Sequence, residues 1–209
     1  MPGPVPDSGF VSGGGRDSGP SDGHSPDGRR DPAPAAPPAT EPVEARALTL
    51  ALVADTHLPR GRRRIPEACL DHLRAADLII HAGDITTVAV LEELEALGPP
   101  VAAVLGNVDE PSLSERLPDS LTLEVGGVSL GLVHDAGPAR GRVARLRRRF
   151  PDAAAVVFGH SHIPLHERAG AFQIFNPGSP TERRRAPRHT MGVGTVKDDE
   201  ISLEHVALD

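Results

Sequence analysis

Five short apolar runs, each breaking off into polar residues rich in lone pairs, constrain this chain more than any other feature. Ala-Leu-Thr-Leu-Ala-Leu-Val-Ala leads into Asp55-Thr56-His57, and Leu-Ile-Ile-His-Ala-Gly into Asp84. Val-Ala-Ala-Val-Leu-Gly leads into Asn107-Val108-Asp109, Ser-Leu-Gly-Leu-Val into His134-Asp135, and Ala-Val-Val-Phe-Gly into His160-Ser161-His162. Runs this short, aliphatic and bounded by Gly, Pro or Asp read as strands buried on both faces. They cover residues 47–54, 78–81, 101–105, 128–133 and 153–158. Between them, 66–75, 88–97 and 139–150 carry apolar residues spaced three and four apart, which predicts helices with one buried face. Residues 121–125 and 128–133 flank Gly126-Gly127, a pair that supplies the positive φ of a tight hairpin. Four further strands follow at 165–168, 172–175, 190–196 and 201–206. Strand–helix alternation followed by a meander predicts an α/β domain with more than one sheet, or with one mixed sheet.

The domain begins at about residue 46. Residues 1–45 hold ten of the 22 prolines and eight of the 22 glycines with almost no large apolar side chain, so burial there cannot offset ordering entropy. A disordered Pro/Gly/Ser-rich tail is expected over 1–45, with His24 solvated, and one domain over 46–209. Cys69 is the only cysteine, which excludes a disulfide scaffold. No apolar run approaches the ~18 residues of a membrane span. The first thirty residues lack the apolar stretch of a secretory signal, so the expected location is the cytoplasm. The net charge is −7, of which the first 45 residues contribute −4 through seven acidic and three basic side chains. The remaining −3 argues against a general nucleic-acid coat and leaves nucleic acid only as a substrate class.

In open α/β sheets the ligand crevice lies beyond the carboxyl ends of the strands. Asp55, His57, Asp84, Asn107, His134, His160 and His162 all fall at such ends and are expected to meet. His57 and His162 each follow another candidate by two positions, a spacing that in extended chain points both side chains the same way. Imidazole, carboxylate and amide oxygen without thiolate suit Mn²⁺, Fe²⁺, Ni²⁺ or Zn²⁺ at a catalytic centre rather than a structural zinc. Seven ligands suit two ions sharing one carboxylate, and two metals ~3.5–4 Å apart form a clamp for displacement at phosphorus.

Asp55-x-His57, Gly83-Asp84, Gly106-Asn107-x-Asp109, His134 and Gly159-His160-x-His162 resemble, in order and spacing, the calcineurin-like metallophosphoesterase superfamily. The short length and the Asn176-Pro177-Gly178-Ser179 step are most similar to its small bacterial and archaeal phosphodiesterases. The resemblance spans about residues 48–202. It implies two mixed β-sheets packed as a sandwich and flanked by helices. It further implies one metal on Asp55, His57 and His162, a second on Asn107, His134 and His160, and Asp84 bridging both. The implied activity is a phosphodiesterase with two divalent ions, Mn²⁺ foremost, in which a metal-bridging hydroxide attacks phosphorus and Asp84, Asn107 and His134 serve catalysis. The substrate would be a small phosphoester; a phosphomonoesterase, a nuclease or a binding scaffold of the same fold are the alternatives.

Two positions depart from the family pattern. Val108 stands where many members carry the imidazole thought to protonate the leaving group, and Asp135 replaces the common Gly after His134. Arginine outnumbers lysine 21 to 1, and two arginine clusters directly follow candidate site segments. Arg60 and Arg62 are therefore candidates to orient an anionic substrate, with Asn176 either contacting the substrate or holding the site loop. His81 is read as a core residue or a support behind the ligands, Cys69 as core, and His72, His166, His189 and His205 as surface or partly buried. The tail lacks the means to dock on the domain. Deleting residues 1–44 is expected to leave metal-dependent turnover within a few-fold of the full chain, measured side by side; a large loss would give the tail a part in the site.

Overall fold

The computed structural model describes residues 46–209; the tail expected over 1–45 and His24 within it lie outside the described residues. Ten strands and three helices follow in the order β1 (Leu48–Val53), α1 (Glu67–Ala75), β2 (Leu78–His81), α2 (Val88–Glu95), β3 (Val101–Ala103), β4 (Ser120–Val125), β5 (Val128–Val133), α3 (Arg142–Arg149), β6 (Ala155–Phe158), β7 (Leu165–Ala169), β8 (Phe172–Asn176), β9 (Thr190–Lys197) and β10 (Glu200–Ala207). A 3₁₀ turn at Pro111–Glu115, absent from the sequence expectations, follows β3.

The strands form two five-stranded mixed sheets, ordered β10-β9-β1-β2-β3 and β4-β5-β6-β8-β7. In the first, β1, β2 and β3 run parallel, β9 runs antiparallel to β1, and β10 antiparallel to β9. In the second, β5, β6 and β8 run parallel between antiparallel edges β4 and β7. This resolves the alternative of one mixed sheet in favour of two.

The two-residue period of the strands builds the layers. Leu50 and Leu52 of β1 join Leu130, Leu132, Val157 and Phe175 of the second sheet in the core between the sheets. Their neighbours Ala51 and Val53 point the other way, onto Cys69 and Leu73 of α1 and Leu94 of α2. Val156 and Phe158 of β6 likewise face Leu146 and Phe150 of the α3 segment. Both faces of each central strand are thus buried, which is why these runs are continuously apolar.

The β4–β5 hairpin turns through Gly126 and Gly127 at φ 54° and 80°, so both turn residues need the left-handed region. Thr87 caps α2 by accepting from the Val90 N–H at 3.4 Å, and the Glu110 carboxylate accepts from Val88 N–H at 2.9 Å. The carboxyl ends of β1, β2 and β3 meet those of β5 and β6 at one edge of the sandwich. There the His134 Nδ1–H donates to the Ala82 carbonyl at 2.8 Å, and the His160 N–H to Asp55 Oδ1 at 3.1 Å, tying one sheet to the other. Among the described residues no helix is long and apolar enough to cross a membrane.

Candidate metal centre

Three loops at that edge share one backbone form. After β1, Asp55 and His57 take φ 55° and 46°; after β2, Asp84 and Thr86 take 59° and 98°; after β6, His160 and His162 take 69° and 60°. This corrects the extended-chain reading of the two-residue spacing. Alternate left-handed residues coil each loop back on itself, and that coiling, not a strand's pleat, brings paired side chains to a common point. Each non-glycine residue held there costs of order ~1–3 kcal/mol, so the surroundings must over-determine the geometry.

The seven expected side chains do come together. Asp84 Oδ2 lies 3.4 Å from His57 Nε2 and 3.3 Å from His134 Nε2. On one side, His57 Nε2 faces His162 Nε2 at 3.1 Å, and His162 Nε2 lies 3.4 Å from Asp55 Oδ1. On the other, Asn107 Oδ1 lies 3.1 Å from His134 Nε2 and 2.8 Å from His160 Nδ1. Gly106 permits this approach, since a Cβ there would stand 2.1 Å from both the backbone nitrogen and Oδ1 of Asp84.

Proton counting shows what the cluster lacks. A carbonyl can only accept, so the bonds from His134 Nδ1 to Ala82 O and from His162 Nδ1 to Glu182 O place each neutral ring's proton on Nδ1. Both Nε2 atoms then present lone pairs to Asp84, Asn107, Asp55 and His57. Asp55 Oδ2 is buried with no hydrogen-bond partner at all. Lone pairs facing lone pairs in a buried site repel unless a cation lies among them. Asp55, His57 and His162, and separately Asp55, Asp84 and His134, are spaced so that each trio could hold a metal ion. A nitrogen–oxygen set of this kind fits a divalent cation.

The ionisation directions divide the cluster into groups that stay free to coordinate and groups that hold a proton while no cation is bound. Burial lowers His57, and lowers His162 to about 4, leaving both rings neutral and free to coordinate at neutral pH. Burial alone would raise Asp84, but the His134 bond and charge, the Val108 N–H and His57 outweigh it and hold Asp84 at about 2. For His134, burial pulls down and Asp84 more than compensates, raising it, so this ring favours a second proton, on Nε2 toward Asp84, that a bound cation would displace. Asp55 is raised to about 7, chiefly by burial.

Residues 48–199 match the calcineurin-like phosphoesterase superfamily domain. The chain belongs to that superfamily. A probable metallophosphoesterase of Methanothermobacter thermautotrophicus is 37% identical over 139 residues, covering 66% of this chain and 80% of that protein. Zinc-complexed Vps29 of Entamoeba histolytica shares the fold at TM-score 0.60 and 21% identity, covering 78% of this chain and all (100%) of that one. A solved archaeal phosphodiesterase does so at TM-score 0.58 and 19% identity, covering 76% and 100%.

The superfamily domain here also contains braces that the sequence did not disclose. Ser179 Oγ donates to the Asp55 carbonyl at 2.8 Å and Thr181 Oγ1 to the Thr56 carbonyl at 2.6 Å. The Glu182 carbonyl takes the His162 proton while its carboxylate pairs with Arg63 at 2.8 Å. Asp109, quoted above only as part of a motif, accepts from Thr86 N–H at 2.6 Å and Gly106 N–H at 2.7 Å, stapling two ligand loops together. Ser179 and Asp109 stood in motifs without a bracing role assigned to them; Thr181 and Glu182 carry no pattern, because their partners Thr56 and Arg63 lie more than a hundred positions away in sequence.

Asn176 is corrected as a substrate contact. It is fully buried, donates to the Gly159 carbonyl at 2.7 Å and to Ser161 Oγ at 3.2 Å, and accepts from Gly178 N–H at 2.9 Å, so it holds the His160–His162 loop. Arg60 lines a cleft of about 240 Å³ beside His57, together with Thr86, Val108 and Arg184; Arg62 does not. Arg184, within the second arginine cluster, donates to the His160 carbonyl at 3.1 Å. Asp135 is exposed and accepts from Gly137 N–H at 2.7 Å, a turn carboxylate rather than a metal neighbour. His81 is fully buried behind the loops, bonded at Nε2 to Thr56 Oγ1 at 3.1 Å, and burial lowers it to about 3. Cys69 is core, and burial raises its thiol to about 12. His72 is exposed, His166 bonds Gln173, His189 pairs with Asp209, and His205 bonds the Asn176 carbonyl.

Asp55 sets a pH dependence. Its folded value of about 7 exceeds the ordinary 3.8, so the unfolded chain releases this proton first. Metal-free stability should therefore fall as pH rises from about 4 to about 7, by about 4 kcal/mol from this group. Melting curves of metal-free wild type and Asp55→Asn across that range test it. The variant should lose that part of the slope and also lose stabilisation by added divalent metal at pH 8. An unchanged slope would contradict the assignment.

Proposed function

We propose that this chain is a phosphodiesterase acting with two divalent cations, Mn²⁺ foremost, held by the seven clustered side chains. The observation that carries the reading is the placement of Asp84 Oδ2 between His57 Nε2 at 3.4 Å and His134 Nε2 at 3.3 Å, one carboxylate oxygen shared by two donor sets. Asp55, His57 and His162 form the first set with Asp84; Asn107, His134 and His160 form the second with the same carboxylate. Such cations supply charge stabilisation at the phosphoryl oxygens and acidify the attacking water.

The protein's own groups do the rest. Ala82 and Glu182 carbonyls fix the imidazole tautomers of His134 and His162, so the donor atoms are oriented before any substrate arrives. Arg60 and Arg184 flank the cleft from two different chain segments, positioned to take non-bridging phosphate oxygens. Glu182, also at the cleft, is neutralised by Arg63, so the cleft presents positive charge to an anionic diester. Val108 is 45% exposed and faces the same cleft, with its N–H spent on Asp84 Oδ1 at 3.1 Å. No imidazole stands there to protonate a departing alkoxide, a contribution worth ~10²–10⁴-fold. Aryl esters, whose phenolates leave unprotonated, are therefore the better substrates. The relatives support the reading in kind: one is named a probable metallophosphoesterase, and one structural neighbour is an archaeal phosphodiesterase.

The test is hydrolysis of an aryl phosphodiester and the matching monoester by chelated protein, with each divalent metal restored in turn. Diester turnover should exceed monoester turnover and depend on added metal. Asp84→Asn should cost more activity than His57→Ala, because both donor sets share Asp84, and both variants should keep their fold. Near-normal turnover of Asp84→Asn at saturating metal would overturn the shared-carboxylate assignment, and preferential monoester turnover would overturn the phosphodiesterase reading.

A further inference from the structure

A cavity larger than the polar cleft at the metal-ligand cluster, about 370 Å³ against about 240 Å³, lies beside it between α1, α2 and the loop after β1. Its wall is apolar, formed by Leu58, Ile65, Leu70, Val90, Leu94 and Leu97. None of the seven clustered side chains lines it. Its volume falls within the roughly 300–1,000 Å³ typical of small-molecule sites, and its lining is of the matching kind.

The cavity and the cleft are adjoining rooms. Pro59 lines both, and Thr86 on the cleft side is followed directly by Thr87 on the cavity side. The boundary is also crossed by an ion pair, Arg63 of the cavity with Glu182 of the cleft at 2.8 Å. A molecule whose phosphate sits in the cleft and whose other end passes Pro59 meets this predominantly apolar wall. Arg63 and Arg74 among its lining residues are paired with Glu182 and with Glu67 and Asp71, and Arg64 and Glu93 offset each other in charge, so this is an apolar recess with a charged but nearly neutral margin. Such a recess accepts an apolar arm and disfavours a strongly polar or charged one.

We infer that this cavity seats the retained ester group of the substrate, and that the substrate class is phosphodiesters bearing one long alkyl chain. The inference rests on the phosphodiesterase reading for its catalytic consequence, but not for binding. The polar cleft takes the reacting phosphate, and the apolar arm crosses Pro59 into the space under α1 and α2. Selectivity then comes from burial, at about threefold to fourfold per fully buried methylene.

The experiment compares p-nitrophenyl methyl, hexyl and decyl phosphodiesters on the metal-loaded full chain, so that the leaving group stays constant while the arm grows. In parallel, calorimetry measures the binding of decyl phosphate and methyl phosphate. Ala89 lies on the exposed face of α2 and lines the cavity, so Ala89→Phe fills it without disturbing the core. Leu97→Glu, just beyond α2, sets a charge in the same wall and serves as the second variant.

Wild type should gain at least tenfold in kcat/KM from methyl to decyl, and bind decyl phosphate at least tenfold more tightly than methyl phosphate. Both variants should flatten each series while retaining the methyl rate. A flat series in wild type, or a chain-length gain that survives in both variants, overturns the proposal. If no diester is hydrolysed under any metal, the phosphodiesterase reading falls. The binding arm then decides the cavity alone: a chain-length preference lost in the variants supports it, and equal binding of the two phosphates overturns it.

Discussion

A shortage of protons organises the carboxyl edge of this sandwich. Two imidazoles commit their Nδ1 protons to the Ala82 and Glu182 carbonyls, so their Nε2 lone pairs turn inward onto Asp84, Asn107 and Asp55. Within the cluster, acceptor faces acceptor, and Asp55, His57, Asp84, His134 and His162 are buried while Asn107 and His160 are exposed. Asp55 answers by holding its proton up to about 7, and Asp84 by leaning on the raised His134. Such an arrangement costs stability for as long as the positive charge it calls for is lacking. The large core between the sheets, which includes Ala54 and Ala82 beside the ligand loops, offsets that cost.

The same edge is strained in its backbone, and the supports are placed where the strain is. Asp55, His57, Asp84, His160 and His162 all occupy left-handed φ. Around them Ser179 and Thr181 grip the carbonyls of the first loop, Asn176 grips the third, and Asp109 joins the second to the loop that carries Asn107. Most of these bonds run from a side chain to a backbone group, so they fix loop shape rather than side-chain identity. The stretch from Asn176, the last residue of β8, to Thr181 braces two ligand loops at once through bonds to their backbone and to Ser161.

The strands were legible because a strand buried on both faces has to be continuously apolar, and a sandwich needs several. The strand boundaries at 78–81 and 128–133 coincide with the observed ones, and the Gly126-Gly127 turn follows from φ alone. The seven clustered residues were legible because buried imidazoles and carboxylates at strand ends have no packing reason to be there. What stayed hidden was conformational. Nothing in Asp-x-His announces left-handed backbone, so the extended reading placed the right residues by the wrong geometry. Arg62 and Arg60 look alike in sequence, yet only one lines the cleft. Thr181 and Glu182 act through bonds to residues more than a hundred positions away or through their own carbonyl, and such bonds leave no periodicity to read.

The central claim is that the edge cluster is a two-ion site shared through Asp84. A crystal grown with Mn²⁺, with anomalous diffraction collected at the manganese edge, tests it most directly. The account predicts two anomalous peaks, one among Asp55, His57 and His162 and the other among Asn107, His134 and His160, each in contact with the Asp84 carboxylate. A single peak, or two peaks of which only one touches Asp84, would contradict it.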